Sequence, residues 1–251
     1  MASLGPRYIS VSFLFVVFLV MYGHRVSAQS ESGGVGNDAD QARKVEIYRQ
    51  MSFGRLAELE GDKATIKGTN GWAHYAEAHT WYSKAAEQGN SPSQYGLGRL
   101  YSRGLGVSQN HAEAMKWFNK AADEGLVGAI YEVGLAHARG NGVPKNNAEA
   151  VKQFYRAAQA GLADAHFALG INYYKGEGVP KNYVLSHMWF NLAAAMTPPR
   201  ADAAGLREKL EAMMTADQIA TAQSLGQRCF VSNYQDCSFP ASGQEIRRKI
   251  P

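Results

Sequence analysis

Residues 148–183 read AEAVKQFYRAAQAGLADAHFALGINYYKGEGVPKNY, and residues 112–147 read AEAMKWFNKAADEGLVGAIYEVGLAHARGNGVPKNN. The two stretches keep one register over 36 residues, and the register extends outward in both directions. Ala76-Glu77-Ala78 opens an earlier unit and Val184 opens a later one. Ala85-Ala86, Ala121-Ala122, Ala157-Ala158 and Ala193-Ala194 recur at the same offset. So do Gly98, Gly134 and Gly170, and the triplets Gly104-Leu105-Gly106, Gly140-Asn141-Gly142 and Gly176-Glu177-Gly178. A period of this length marks stacked supersecondary units, each covering its neighbour's apolar edge.

The chemistry within one unit predicts two helices. Asn110 precedes Glu113 by three positions, as Asn146 precedes Glu149, which predicts a capping box. Ala114, Phe118, Ala121 and Ala122 then form an apolar stripe at offsets of four, seven and eight. Gly125 supplies the left-handed turn that ends a helix. Ala129, Val133, Gly134 and His137 mark the second helix, and His137 takes the slot held by Tyr101 and Tyr173 in the other units. Glycine inside a helix costs about 1 kcal/mol relative to alanine. Its recurrence predicts that two helix backbones approach closely at that point. Gly140-Asn141-Gly142 predicts a turn with Val143 plugging back between units, and Pro144 stops the helix.

Ala-Glu-Ala-x-x-Trp-Phe-x-x-Ala-Ala-x-x-Gly, an Ala…Leu-Gly…Tyr helix and Lys/Arg-Gly-x-Gly-Val-Pro-Lys-Asn together resemble the Sel-one-like repeat family, relatives of tetratricopeptide repeats. The resemblance covers residues 75–196 most fully. It implies an all-α, right-handed α-solenoid of stacked αα-hairpins that acts as an adaptor between proteins, without catalysis. One secreted branch of the family carries a cysteine pair in every repeat, and some of its members bind or slowly hydrolyse β-lactams. That branch implies an alternative for this chain, a protein directed at cell-wall or β-lactam substrates. The per-repeat cysteines are missing here.

The ends predict different roles. Arg7, the apolar run Ile9–Tyr22 and Val26-Ser27-Ala28 are expected to form a secretory signal cut after Ala28, with an uncleaved membrane anchor as the alternative. The run is shorter than the ~20 residues that span a bilayer, so no stable membrane anchor is expected after cleavage. Its removal takes Arg7 and Arg25 and lowers the net charge from +4 to +2, which is not the balance of a nucleic-acid binder. The expected location is periplasmic or secreted, and the expected state is a monomer. Residues 29–39 are expected to be a flexible leader. Residues 40–74 are expected to be an N-terminal capping helix, with Val45, Tyr48 and Met51-Ser52-Phe53 on its apolar face, followed by a loop over Gly61–Gly71. Units at 76–111, 112–147, 148–183 and a partial one at 184–196 follow. Residues 197–251 form C-terminal capping helices and a basic tail, with a capping box at Thr215 and Gln218. Cys229 and Cys237 lie eight positions apart; in an exported chain a disulfide is the simplest reading, with free thiols or a metal pair as alternatives.

Candidate chemistry is sparse. The Gly-x-Gly triplets lack the lysine or third glycine of a phosphate loop. None of the seven histidines pairs with another at a spacing of four, and no nucleophile elbow occurs. The sequence therefore predicts no catalytic residue, metal or cofactor. It predicts a contact surface instead. If the hairpins follow tetratricopeptide geometry, the first helix of each unit lines the concave side. Lys84, Lys120 and Arg156 share one offset there, and Thr80, Lys116 and Lys152 lie one turn earlier. Asn119 and Tyr155 flank this basic ladder. Its complement is a protein or peptide bearing carboxylates.

Overall fold

The computed structural model describes residues 35–196, 200–235 and 237. The expected signal segment, the first residues of the leader and the basic tail lie outside the described residues. Ten helices follow one another, with no strand among the described residues: α1 (Val35–Ile66), α2 (Trp72–Ala86), α3 (Ser91–Arg103), α4 (His111–Asp123), α5 (Val127–Arg139), α6 (Asn147–Gln159), α7 (Ala163–Lys175), α8 (Tyr183–Ala195), α9 (Ala201–Glu211) and α10 (Ala216–Val231). Consecutive helices from α1 to α9 pack on one another in an α-solenoid, and α10 returns onto α8.

Asparagine starts the helices and glycine stops them. The side chains of Asn90, Asn110, Asn146 and Asn182 accept from backbone N–H groups three residues on, at 3.0 Å. The expected capping box forms by half only. The N–H groups of Asn110, Asn146 and Asn182 donate instead to the carbonyls of Tyr101, His137 and Tyr173. Each loop is thereby stitched to the helix it leaves, and Glu113 and Glu149 are freed to pair with Lys116 and Lys152. Gly104, Gly140 and Gly176 close their helices with φ near +75°, the left-handed region. Val107, Val143 and Val179 turn back onto the core as expected.

The tightest packing joins α1 with α2, α3 with α4, α5 with α6 and α7 with α8. The recurring helical glycine explains it, in a way the sequence did not suggest. A Cβ on Gly98 would lie 2.4 Å from the Phe118 ring; on Gly134, 2.6 Å from Phe154; on Gly170, 2.5 Å from Phe190. The glycine is first a socket for the aromatic ring of the following helix, and at Gly134 the Ala150 carbonyl of that helix also comes within 3.3 Å of the same point, the backbone approach expected from the sequence. Each ring is at most 4% exposed, and burying one fully contributes roughly 1.5–3 kcal/mol, more than glycine costs the helix.

The first hairpin repeats this seam without the sequence motif. Tyr82 sits against Gly54, and its hydroxyl donates to Glu58 at 2.8 Å; Tyr75 sits against Gly61 and donates to Asp62 at 2.7 Å. This corrects the reading of the N-terminal region. Helix α1 begins inside the expected leader and runs through much of the expected loop, because Gly61 is a packing socket and not a turn. Its inward face is Gln50, Gly54, Ala57 and Gly61, while Val45, Tyr48 and Phe53 are 40–57% exposed.

At the other end, α8 is buried on nearly every side, with Met188, Trp189 and Phe190 at most 2% exposed under α9 and α10. The Thr215–Gln218 capping box is complete. Cys229 and Cys237 form a disulfide, with both residues at most 1% exposed. Between them Asn233 and Tyr234 adopt the left-handed region, which non-glycine residues hold only when their surroundings demand it. The Tyr234 ring lies 5.0 Å from His166, and its hydroxyl points to the Met196 sulfur. The tail is thereby strapped over α6, α7 and α8.

Candidate functional site

The basic ladder lies on α4 and α6, with its first members on α2. Thr80, Lys84, Lys116, Asn119, Lys120, Lys152 and Arg156 are all exposed. Most of their polar groups already have partners nearby. Thr80 bonds back to the Ala76 carbonyl. Lys116 pairs with Glu113 at 2.7 Å and Lys152 with Glu149 at 3.5 Å. The ammonium groups of Lys84 and Lys120 sit over the Trp81 and Trp117 rings at 4.6 and 4.1 Å. Arg156 donates to Gln153. Tyr155 is half-buried: its hydroxyl donates to the Cys237 carbonyl and its ring meets Trp189 edge-on at 5.4 Å. It belongs to the strapped tail and not to an open groove.

The other helices carry a second periodic row. Tyr95 on α3, Tyr131 on α5 and Phe167 on α7 share one offset. They are half-buried and tilt against Phe118, Phe154 and Phe190 at 5.5–5.9 Å. Two turns on come Arg103, Arg139 and Lys175, all exposed. Glu132 lies among Arg99, Arg103 and Arg139. Burial pushes its carboxyl above the usual range, and the three guanidinium groups pull the other way. Burial also raises the Tyr131 hydroxyl to about 12, helped by the charge of Asp164. Arg99 reaches Glu58 at 3.0 Å, and Arg200 holds Asp164 and Asp202 while lying over Phe167. Arg103 and Arg139 have Glu132 as the carboxylate that they share with Arg99.

A cleft of about 30 Å³ lies where α3, α4 and α5 meet, lined by Ser102, His111, Met115, Phe118, Glu132 and Arg139. Small-molecule sites occupy roughly 300–1,000 Å³, so this surface suits contact with a chain better than capture of a metabolite.

Four repeats match the Sel1 repeat model, at residues 75–90, 91–126, 127–162 and 163–197. The chain is also similar to a Sel1 repeat protein from Oxalobacter formigenes, with 34% identity over 51% of this chain and 95% of that one, at a TM-score of 0.46.

The chain belongs to the Sel1 repeat family.

A protective antigen of uropathogenic Escherichia coli strains with an SLR fold is similar too, at 27% identity and a TM-score of 0.48. The similarity spans 82% of this chain and 49% of the antigen. No curated protein matches the chain. Sel1 repeats are those of protein–protein interaction scaffolds, in general without catalysis. The family's unit begins at residues 91, 127 and 163, so its first helices are α3, α5 and α7. The sequence reading had opened each unit one helix earlier, at the conspicuous Ala-Glu-Ala triplets. The row of Tyr95, Tyr131 and Phe167 was equally periodic and would have emerged from a search on the other helix.

Proposed function

We propose that this protein is an exported scaffold that holds an extended, carboxylate-bearing segment of another protein along α3, α5 and α7. The observation that carries this is a difference in charge matching. The cations on α2, α4 and α6 are matched by their own glutamates and indoles. Arg103 and Arg139 stand one unit apart and share the partly buried Glu132 with Arg99, three cations to one carboxylate, next to a half-open aromatic row. An arginine that gains a carboxylate while losing water gains a charge-assisted bond worth about 1.5–3 kcal/mol, whereas breaking a matched surface pair for a new one gains little. The family unit supports taking this side as concave, since α3, α5 and α7 are its first helices and first helices line the concave side in tetratricopeptide geometry. Contacts between neighbouring units support the same side: Glu58 reaches Arg99, and Tyr95 lies against Gly128.

Export is supported by the signal-like first 28 residues and by a buried disulfide, a bond that persists in oxidising compartments. Amino-terminal sequencing of the mature protein should start at Gln29.

The binding test uses crosslinked capture from the exporting cell with two variants. Arg103→Glu with Arg139→Glu should abolish recovery of the partner. Lys116→Glu, Lys120→Glu, Lys152→Glu and Arg156→Glu together should leave it within about twofold, the size of a rim-charge effect. The reverse result would move the site to α2, α4 and α6, and failure to recover any stoichiometric partner would overturn the scaffold reading.

A further inference from the structure

The turn between Cys229 and Cys237 rests on a histidine that has no place for a second proton. His166 on α7 is 0% exposed. Its Nδ1 donates to the Leu162 carbonyl at 2.9 Å, and its Nε2 has no hydrogen-bond partner among the described residues. The Trp189 ring lies 5.5 Å from it and the Tyr234 ring 5.0 Å. These two neighbours are held very differently. Trp189 sits in the middle of α8, 1% exposed beneath α9 and α10. Tyr234 is half-buried on the turn at residues 232–235, where it and Asn233 hold the left-handed region. That turn is tied down by the Tyr234 hydroxyl on the Met196 sulfur, by the Tyr155 hydroxyl on the Cys237 carbonyl and by the disulfide to α10.

We infer that residues 232–235 are an acid-sensitive latch: a proton on His166 Nε2 lifts Tyr234 off α7 and opens the disulfide to solvent, while the hairpins beneath stay folded. A proton there would leave a charge and an N–H buried without an acceptor, and water must reach it. Of the two flanking rings only Tyr234 touches the surface, so moving it is the shortest way in; moving Trp189 would take apart the most buried helix of the stack. Lifting the turn also releases Asn233 and Tyr234 from a conformation that side-chain-bearing residues rarely hold. The surrounding groups do not alter this balance. On the turn stands Tyr234, whose hydroxyl burial raises; on α6 stands Tyr155, bonded to Cys237. On α7 Asp164 is held by Arg200, and on α8 His187 is turned to Glu211 of α9. Neither these nor Arg228 on α10 acts on the charge of His166, which burial opposes and only the Leu162 carbonyl favours. The neutral ring keeps the latch shut above about pH 6.5, and opening grows as pH falls toward 4, the value to which burial holds His166 in the closed state.

Reduction by a water-soluble phosphine reads the latch, because both cysteines are at most 1% exposed and react only when the turn lifts. The phosphine attacks one sulfur, the S–S bond breaks and the other sulfur leaves as a thiol; water then frees the first thiol and carries the phosphine to its oxide. The rate in the full chain, divided at each pH by that of the urea-unfolded chain, should rise roughly fiftyfold between about pH 7.5 and pH 4.5. His166→Gln should hold the ratio constant within about twofold across that range. Tyr234→Ala should react fast at both ends of it, since its latch is already open. Amide hydrogen exchange in α4 should not accelerate in step with reduction. A ratio in the unsubstituted chain that ignores pH overturns the inference, as does an equal rise in His166→Gln. Exchange in α4 that rises in the same proportion would assign the opening to unfolding of the whole stack and would equally overturn it.

Discussion

At the C-terminal end Phe190 sits over Gly170, and at the N-terminal end Tyr82 sits over Gly54, with the same clearance. Beyond these seams the two ends diverge. The C-terminal one is covered by α9, α10 and a disulfide strap, which leave Trp189 and His166 at most 1% exposed. The N-terminal one ends in a long helix whose outer side keeps Tyr48 at 57% and Ile66 at 85% exposure. A single packing rule builds every hairpin, but it does not say how a stack of hairpins finishes. One end is finished by the chain itself. At the other, the outer side of α1 keeps Val45, Tyr48, Leu56, Leu59 and Ile66 exposed.

Substitution at the two seams breaks the comparison most sharply. Phe190→Ala and Tyr82→Ala should each cost about 3–5 kcal/mol in denaturant unfolding, because each empties a filled socket. A Tyr82→Ala cost below about 1 kcal/mol would show that the first hairpin is not an equal member of the stack.

Acid should separate the ends next. Burial holds His166 down to about 4 from an ordinary 6.5. Its Nδ1 faces the Leu162 carbonyl at 2.9 Å and so carries the proton, leaving Nε2 bare between Trp189 and Tyr234. The unfolded chain takes up a proton near pH 6.5 and the folded chain only near 4. Stability is therefore full above 6.5 and is lost as pH falls through that window, by about 2–3 kcal/mol at pH 4.5. Fluorescence of Trp189 should report the loss, and His166→Gln should remove that part of the pH dependence. An equal acid effect in the variant would assign it to other groups.

The smallest effect is expected on the open end. Leu56→Glu and Leu59→Glu should each change stability by about 0.5 kcal/mol or less, since neither side chain is covered by the fold. A thermal-melt loss comparable to Phe190→Ala would mean that the stripe is part of the core.

The repeat region was legible because its requirements are local. Asn146 before a helix, Gly161 and Gly176 after helices and the Ala157-Ala158 pair each act within a few residues, so they reappear every 36 positions and can be read from the order of residues alone. The first hairpin was not legible. Its socket joins Gly54 to Tyr82 across 28 positions, not the 20 that separate Gly134 from Phe154, and no motif marks it. The basic ladder was legible in its positions and not in its pairing. Positive offsets at Lys84, Lys120 and Arg156 were visible, but the indoles under Lys84 and Lys120 and the glutamates beside Lys116 and Lys152 are set by side-chain geometry.

The sequence by itself determined the repeat, its helices and their boundaries, because capping, helix propensity and apolar period are properties of neighbouring residues. Only the tertiary structure decided which side of α1 faces the stack, since its apolar residues satisfy the helical period whether they point in or out. Ring sockets in Gly54 and Gly61 draw that glycine face inward, and the larger apolar side chains are left facing out.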